Sequence, residues 1–188
     1  MPGGSPILTC HLSPVTVTTW YLELLRPHDL RPARVPDGAL SLVRAEIPLP
    51  ELNRFLYTAV GRGWYWLDRV VWDEARWLAW LDRPELETWV LYVSGTPAGY
   101  FEIESQPGGN VELAYFGLLP RFMGRGLGGY LLTKAIERAF ELGAARVWVH
   151  TCSLDAPQAL ANYQARGFRI YAEQTIEREL PEVPCAPA

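Results

Sequence analysis

Three glycines at alternate positions, Gly124, Gly126 and Gly128, follow a mostly apolar stretch and Pro120 and open a segment of helical periodicity. Glycine lets backbone approach a ligand closely. The first-turn N–H groups of a helix are unpaired and its dipole favours negative charge there. A diphosphate cradle is the chemistry this pattern predicts, although tight strand-to-helix packing uses glycines in the same way. Two other phosphate loops do not fit. A nucleotide P-loop needs Lys-Ser/Thr after its last glycine, where this chain has Gly129 and Tyr130. The dinucleotide fingerprint runs G-x-G-x-x-G from an early strand, whereas here the spacing is G-x-G-x-G late in the chain. Just upstream, Glu112 interrupts an apolar run. A carboxylate there costs free energy unless it is paired or lines a cavity, and burial would raise its pKa toward the working range of a base. An outward-facing or arginine-paired glutamate is the plainer reading. His150 and Cys152 stand near the end of another short apolar stretch, the first a second candidate base and the second a candidate nucleophile.

The elements that must position these groups follow from periodicity and punctuation. Val15 to Leu25 and Ala39 to Ile47 read as strands, with a proline-rich loop between them. Leu52, Phe55, Leu56 and Ala59 recur at helical spacing after Pro50, and that helix ends near Gly61 and Gly63. Asp73 and Glu74 suit the first turn of a second helix, in which Trp77, Trp80 and Leu81 share a face before Pro84. Trp89 to Val93 and Ala98 to Glu104 read as a hairpin across SGTP, and Val111 to Leu119 as a further strand. From Gly126 to Leu142, Leu127, Leu131, Ala135 and Ala139 form one helical stripe, with Gly143 as the stop. Arg146 to His150 is a buried strand. A last helix has Asp155 as its expected N-cap and Gly167 at its end, and Phe168 to about Glu179 completes the strands. The order predicts an α/β domain over 15–180, with about four helices on a mixed sheet and a βαβ crossover in its second half. The segments 1–14 and 181–188 read as loose ends.

The bulk numbers exclude several function classes. The 188 residues suit one domain, and the net charge of -4 argues against nucleic acid. No apolar run reaches the ~18 residues of a membrane span, and the start lacks a secretory signal layout. Cys10, Cys152 and Cys185 form no disulfide framework, which suits the cytoplasm, and no metal site is expected.

Two motifs in order carry a family resemblance. Met123-Gly-Arg-Gly-Leu-Gly128, after a strand and before a helix, resembles the coenzyme A loop Gln/Arg-x-x-Gly-x-Gly/Ala of the GNAT superfamily of N-acetyltransferases, departing from it at Met123. Asp155-Ala-Pro-Gln-Ala-Leu-Ala-Asn-Tyr163, with Gly167-Phe168 following, resembles the second motif of that family. The resemblance covers roughly residues 87 to 171. It implies a GNAT-like single domain whose central sheet is splayed between the family's fourth and fifth strands, here Val111–Leu119 and Arg146–His150. It also implies acetyl-CoA as co-substrate, without metal. The cofactor contacts it implies are Leu118, Leu119, Met123, Gly124, Arg125, Gly126, Leu127 and Gly128, with Asn162 beside the pantetheine arm. In one branch of the family the base lies eleven positions before the loop's first residue, which here is Glu112. Tyr163 corresponds to the tyrosine that protonates the departing sulfur. The implied function is direct transfer of acetyl to a small-molecule or protein amine; the alternative is an acyl-CoA-binding sensor or interaction module that has lost turnover. Family members often dimerise, which makes a homodimer an expectation compatible with the chain. The acceptor pocket falls to the aromatic block, with Tyr57, Trp64 and Trp66, and with Tyr65 and Asp68 beside them. Trp72, Trp77 and Trp80 read instead as a helix packed on the sheet.

Overall fold

Seven strands in the order β2-β3-β4-β5-β6-β1-β7 form one sheet. A computed structural model describes residues 14–180, so the expected loose ends, with Cys10 and Cys185, lie almost wholly outside the described residues. The strands are β1 (Pro14–Leu24), β2 (Leu40–Arg44), β3 (Leu86–Val93), β4 (Thr96–Gln106), β5 (Asn110–Leu118), β6 (Arg146–Cys152) and β7 (Arg169–Glu179). The helices are α1 (Pro50–Gly61), α2 (Glu74–Leu81), α3 (Leu127–Glu141) and α4 (Ala159–Ala165). Every strand pairing is antiparallel except β5 with β6, which the α3 crossover makes parallel. The two strands expected to splay, Val111–Leu119 and Arg146–His150, are therefore β5 and β6 in chain order. β1 lies between β6 and β7, antiparallel to both.

Each helix sits where its apolar face requires. Leu127, Leu131, Leu132, Ala135, Ile136 and Ala139 of α3 are buried against Leu91, Phe101, Ile103, Val111 and Leu113. On the opposite face, Leu56 and Val60 of α1 meet Val90 and Tyr100, and Trp77 and Leu81 of α2 meet Tyr57 and Leu86. Asp73 is the N-cap of α2 and accepts from the Arg76 backbone N–H at 2.8 Å. The last helix differs from its expectation. It starts at Ala159, and the Asp155 carboxylate instead accepts from Thr151 Oγ1 (2.7 Å) and from the Cys152 N–H (2.9 Å). Asp155 therefore closes the end of β6 and does not cap α4. The strand expected from Ala39 to Ile47 is limited to Leu40–Arg44, its pairing with β3 ending at Arg44↔Trp89. No helix among the described residues is long and apolar enough to cross a membrane.

A buried ion pair ties the α1/α2 layer to the sheet. Arg69, in the loop between those helices, donates to Glu102 of β4 at 2.8 Å, and the two side chains are 3% and 0% exposed. Glu102 also accepts from Asn53 of α1 (2.9 Å) and Trp80 of α2 (3.0 Å), so one carboxylate gathers three segments. The Arg69 guanidinium lies over the Tyr115 and Trp80 rings at 3.9 and 4.1 Å, with Trp72 and Trp77 further out. Breaking such a pair strands a charge in low dielectric, whereas replacing both partners by apolar groups avoids that cost. Arg69→Met is expected to destabilise the fold by about 3–5 kcal/mol in chemical denaturation, with part regained on adding Glu102→Leu. A loss below about 1 kcal/mol, the range of an exposed pair, would contradict the clamp.

Candidate active site

The parallel contact between β5 and β6 is short. Only Asn110↔Arg146, Val111↔Val147 and Glu112↔Trp148 pair, after which the strands part, β5 staying on β4 and β6 on β1. A bulge sharpens the divergence. Ile103 faces Leu113 but Glu102 faces Tyr115, so Ala114 is an extra residue in β5. Such a residue bends its strand and raises the local twist. It also inverts the facing of everything beyond it: Leu113 and Phe116 join the α3 core, while Glu112 and Tyr115 share the α1/α2 face. The opening is a cavity of about 840 Å³ whose lining includes Gly124, Gly128 and Gly129, Asn162 and Tyr163, Glu112 and His150, and the aromatic loop.

At one end, Gly124 and Gly126 hold φ of +73° and +76°, values that L side chains rarely adopt, and Gly126 is the N-cap of α3. No side chain caps this helix, so its first N–H groups are left for a ligand. A Cβ at Gly128 would meet nothing closer than 3.7 Å, which leaves the cradle floor open. These features fit a diphosphate, the group that coenzyme A would bring here.

Where β5 and β6 meet, Glu112 is 14% exposed and is held from two sides. Gln106 Nε2 donates to its carboxylate at 2.8 Å, and Gln106 Oε1 accepts from Trp148 Nε1 at 3.0 Å. His150 Nδ1 stands 3.6 Å from the other oxygen, an ion pair when the imidazole is charged and too long for a hydrogen bond. The His150 pKa is raised, first by Glu112 and then by Asp155 and Asp68, against a smaller opposing effect of burial. Burial, with Asp155 adding to it, pushes the Cys152 thiol up, which keeps it from being a thiolate nucleophile near neutral pH. Tyr163 is buried on the cavity wall between Phe116 and Phe168, and its hydroxyl bonds no protein atom among the described residues. Burial pushes its pKa far above the ordinary phenol range, so the hydroxyl stays protonated. Its placement follows from the helix end. Gly167 at φ +107° lets its own N–H reach the Gln164 carbonyl and the Phe168 N–H reach Tyr163, the double bond of a Schellman cap, and Phe168 then packs edge-on against Tyr163.

The family model described as the Acetyltransferase (GNAT) family matches residues 51–168. The chain belongs to the GNAT family. Its solved neighbours share the fold at low identity. A GCN5-related N-acetyltransferase from Kribbella flavida superposes with a TM-score of 0.62 at 19% identity, covering 85% of this chain and 56% of that one. For one from Sphaerobacter thermophilus the values are 0.60, 17%, 88% and 51%. A Bacillus subtilis acetyltransferase in complex with CoA gives 0.56 at 23%, covering 71% and 79%. This chain thus spans little more than half the length of the first two. No curated protein matches it by sequence.

The GNAT frame brings Glu112, Tyr163, Leu118, Met123, Gly124, Gly128 and Asn162 onto one cavity, with Trp64 and Trp66 also on its wall. Other expected residues are placed elsewhere. The Leu127 side chain points into the core, Leu119 packs against the core without reaching the cavity, and exposed Arg125 stacks on Phe122 at 5.7 Å. Tyr57 is only 1% exposed and off the cavity wall, because its ring packs against Trp66 and Trp77 and its hydroxyl donates to Asp68. Trp72 and Trp80 do pack as expected, yet they also line the cavity around Arg69. Tyr115 lines the cavity and Gln106 holds Glu112, and sequence reasoning named neither; the Ala114 bulge hides the first, because strict alternation from Glu112 would select Ala114 and Phe116. Among the described residues no cluster of three or more His, Cys, Asp or Glu is placed to hold a metal ion.

The Glu112–His150 pairing has a sign that can be measured. A raised histidine pKa means that the pair stabilises the fold fully below the ordinary value near 6.5 and loses that contribution as pH climbs through the raised one. An NMR titration of His150 is expected to show a midpoint above 6.5 that falls in Glu112→Gln. An unmoved midpoint would dissolve the pair.

Proposed function

We propose that this chain is an acetyl-CoA-dependent N-acetyltransferase that moves acetyl directly onto an amine. The observation that carries the reading is that the α3 N-terminus, Tyr163, Glu112 and the aromatic loop all line one cavity. Coenzyme A would be held by the backbone of Gly124 to Gly128, with Asn162 beside its arm and the β5 edge near Leu118 offering an N–H to the thioester oxygen. The thioester supplies the activated acyl group. Glu112 takes a proton from the incoming ammonium, so that the free amine can attack the carbonyl carbon. As the C–S bond breaks, Tyr163 donates its proton to the sulfur, and the proton that the adduct nitrogen sheds in becoming an amide restores the Tyr163 hydroxyl. Gln106 fixes the Glu112 carboxylate for this role, and His150 is the neighbouring group to which a proton can pass. The compartment stays the one inferred from the cysteines, the cytoplasm.

The test is loss of thioester absorbance in the presence of an amine panel, read beside coenzyme A binding. Glu112→Gln is expected to lower kcat by about 10²–10⁴-fold, the usual share of general acid–base catalysis, while coenzyme A binding persists. Tyr163→Phe is expected to lower kcat with KM for the amine little changed. Full activity in the double variant would refute the assigned roles. Coenzyme A binding without turnover of any amine would favour the sensor reading.

A further inference from the structure

The aromatic-loop end of the cavity presents a carboxylate held in one orientation and without an ion-pair partner among the described residues. Asp68 is exposed and lines the cavity. Tyr57 Oη donates to one of its oxygens at 2.7 Å and Tyr115 Oη to the other at 2.5 Å. Burial pushes both phenols well above their ordinary range, so both remain donors at any working pH. Each oxygen keeps a further acceptor site. The next residue cannot neutralise it, because Arg69 turns inward to Glu102 and is covered by the Trp80 and Tyr115 rings. No basic side chain among the described residues lies within 4.0 Å of Asp68.

The surroundings suit an organic cation. Trp64, Tyr65 and Trp66 wall this end, and Tyr65 holds φ +56°, a conformation that an aromatic residue adopts only when its surroundings impose it. Strain of this kind gathers at ligand-binding positions. The other charges on the cavity are largely matched: Glu112 pairs with His150, Asp155 accepts from Thr151 and the Cys152 N–H, Arg69 is held by Glu102, and Arg178 is exposed. Asp68 would repel an anionic group at its own side of the cavity, and a monoamine, whose one nitrogen goes to Glu112, would leave Asp68 unused.

We propose that the acceptor is a small di- or polyamine, with one ammonium bound by Asp68 against the tryptophan faces while Glu112 deprotonates the other. The proposal rests on the acyltransferase reading and adds the substrate class. Asp68 is then the specificity-determining residue.

The experiment uses the full chain with acetyl-CoA and compares α,ω-diaminoalkanes with n-alkylamines and ω-amino acids of equal length. The best diamine is expected to exceed its matched monoamine in kcat/KM by about tenfold, the scale of one ion pair with cation–π support, and the amino acid should be poorest. Asp68→Asn should erase most of that preference by raising KM for the diamine. Coenzyme A affinity serves as the check that the fold survives. Equal use of monoamine and diamine, or a preference that persists in Asp68→Asn, would overturn the proposal. Direct binding separates this from failure of the parent reading. If no amine turns over, saturable quenching of tryptophan fluorescence by the diamine, lost in Asp68→Asn, would still uphold the site. Absence of quenching in the unaltered protein would sink it.

Discussion

The parting of β5 and β6 is the constraint on which the rest of this molecule depends. Three residue pairs hold the strands together, and beyond them each strand keeps a partner on its outer side only. Inner-edge backbone groups left this way are costly unless water or a ligand satisfies them. The helices keep the gap from closing. α3 and α4 fill one face, and the Schellman cap at Gly167 sets Tyr163 on the wall. α1, α2 and their loop cover the other face, anchored where Asn53, Arg69 and Trp80 meet Glu102.

That anchor also explains how an exposed loop presents a rigid carboxylate. Arg69 is fixed by its ion pair and by aromatic rings, its backbone N–H donates to Tyr57 Oη at 3.2 Å, and the same hydroxyl holds Asp68. A buried charge pair is weak evidence for added stability, since hydrophobic replacements often match it. Its use here is positional. The aromatic residues around it are divided between two jobs: Trp77 is wholly buried packing, whereas Trp64 and Trp66 face the cavity.

Much of this was legible from residue types. The glycine spacing marked the turn into α3, the stripe of Leu127, Leu131, Ala135 and Ala139 gave α3 and its buried face, and Gly167-Phe168 marked the end of α4. What stayed hidden depended on contacts between distant segments. Asp155 looks like a helix cap because capping residues are read from the chain that follows them, yet its carboxylate turns back to Thr151 and Cys152. The Ala114 bulge is set by β4, so no pattern within β5 reveals that Tyr115 shares a face with Glu112. An aromatic surplus suggested a ligand pocket, but part of it encloses the chain's own arginine. The fate of Tyr57, moved from wall to support, follows from the same packing.

Calorimetric titration of the full chain with acetyl-CoA and with desulfo-coenzyme A tests the central claim most directly. The account predicts saturable binding of one equivalent of either ligand, with affinity lost when Gly126 is replaced by valine at its φ of +76°. Absence of binding by the unaltered protein would mean that the opening between β5 and β6 is not a coenzyme A site, and the account would fail at its root.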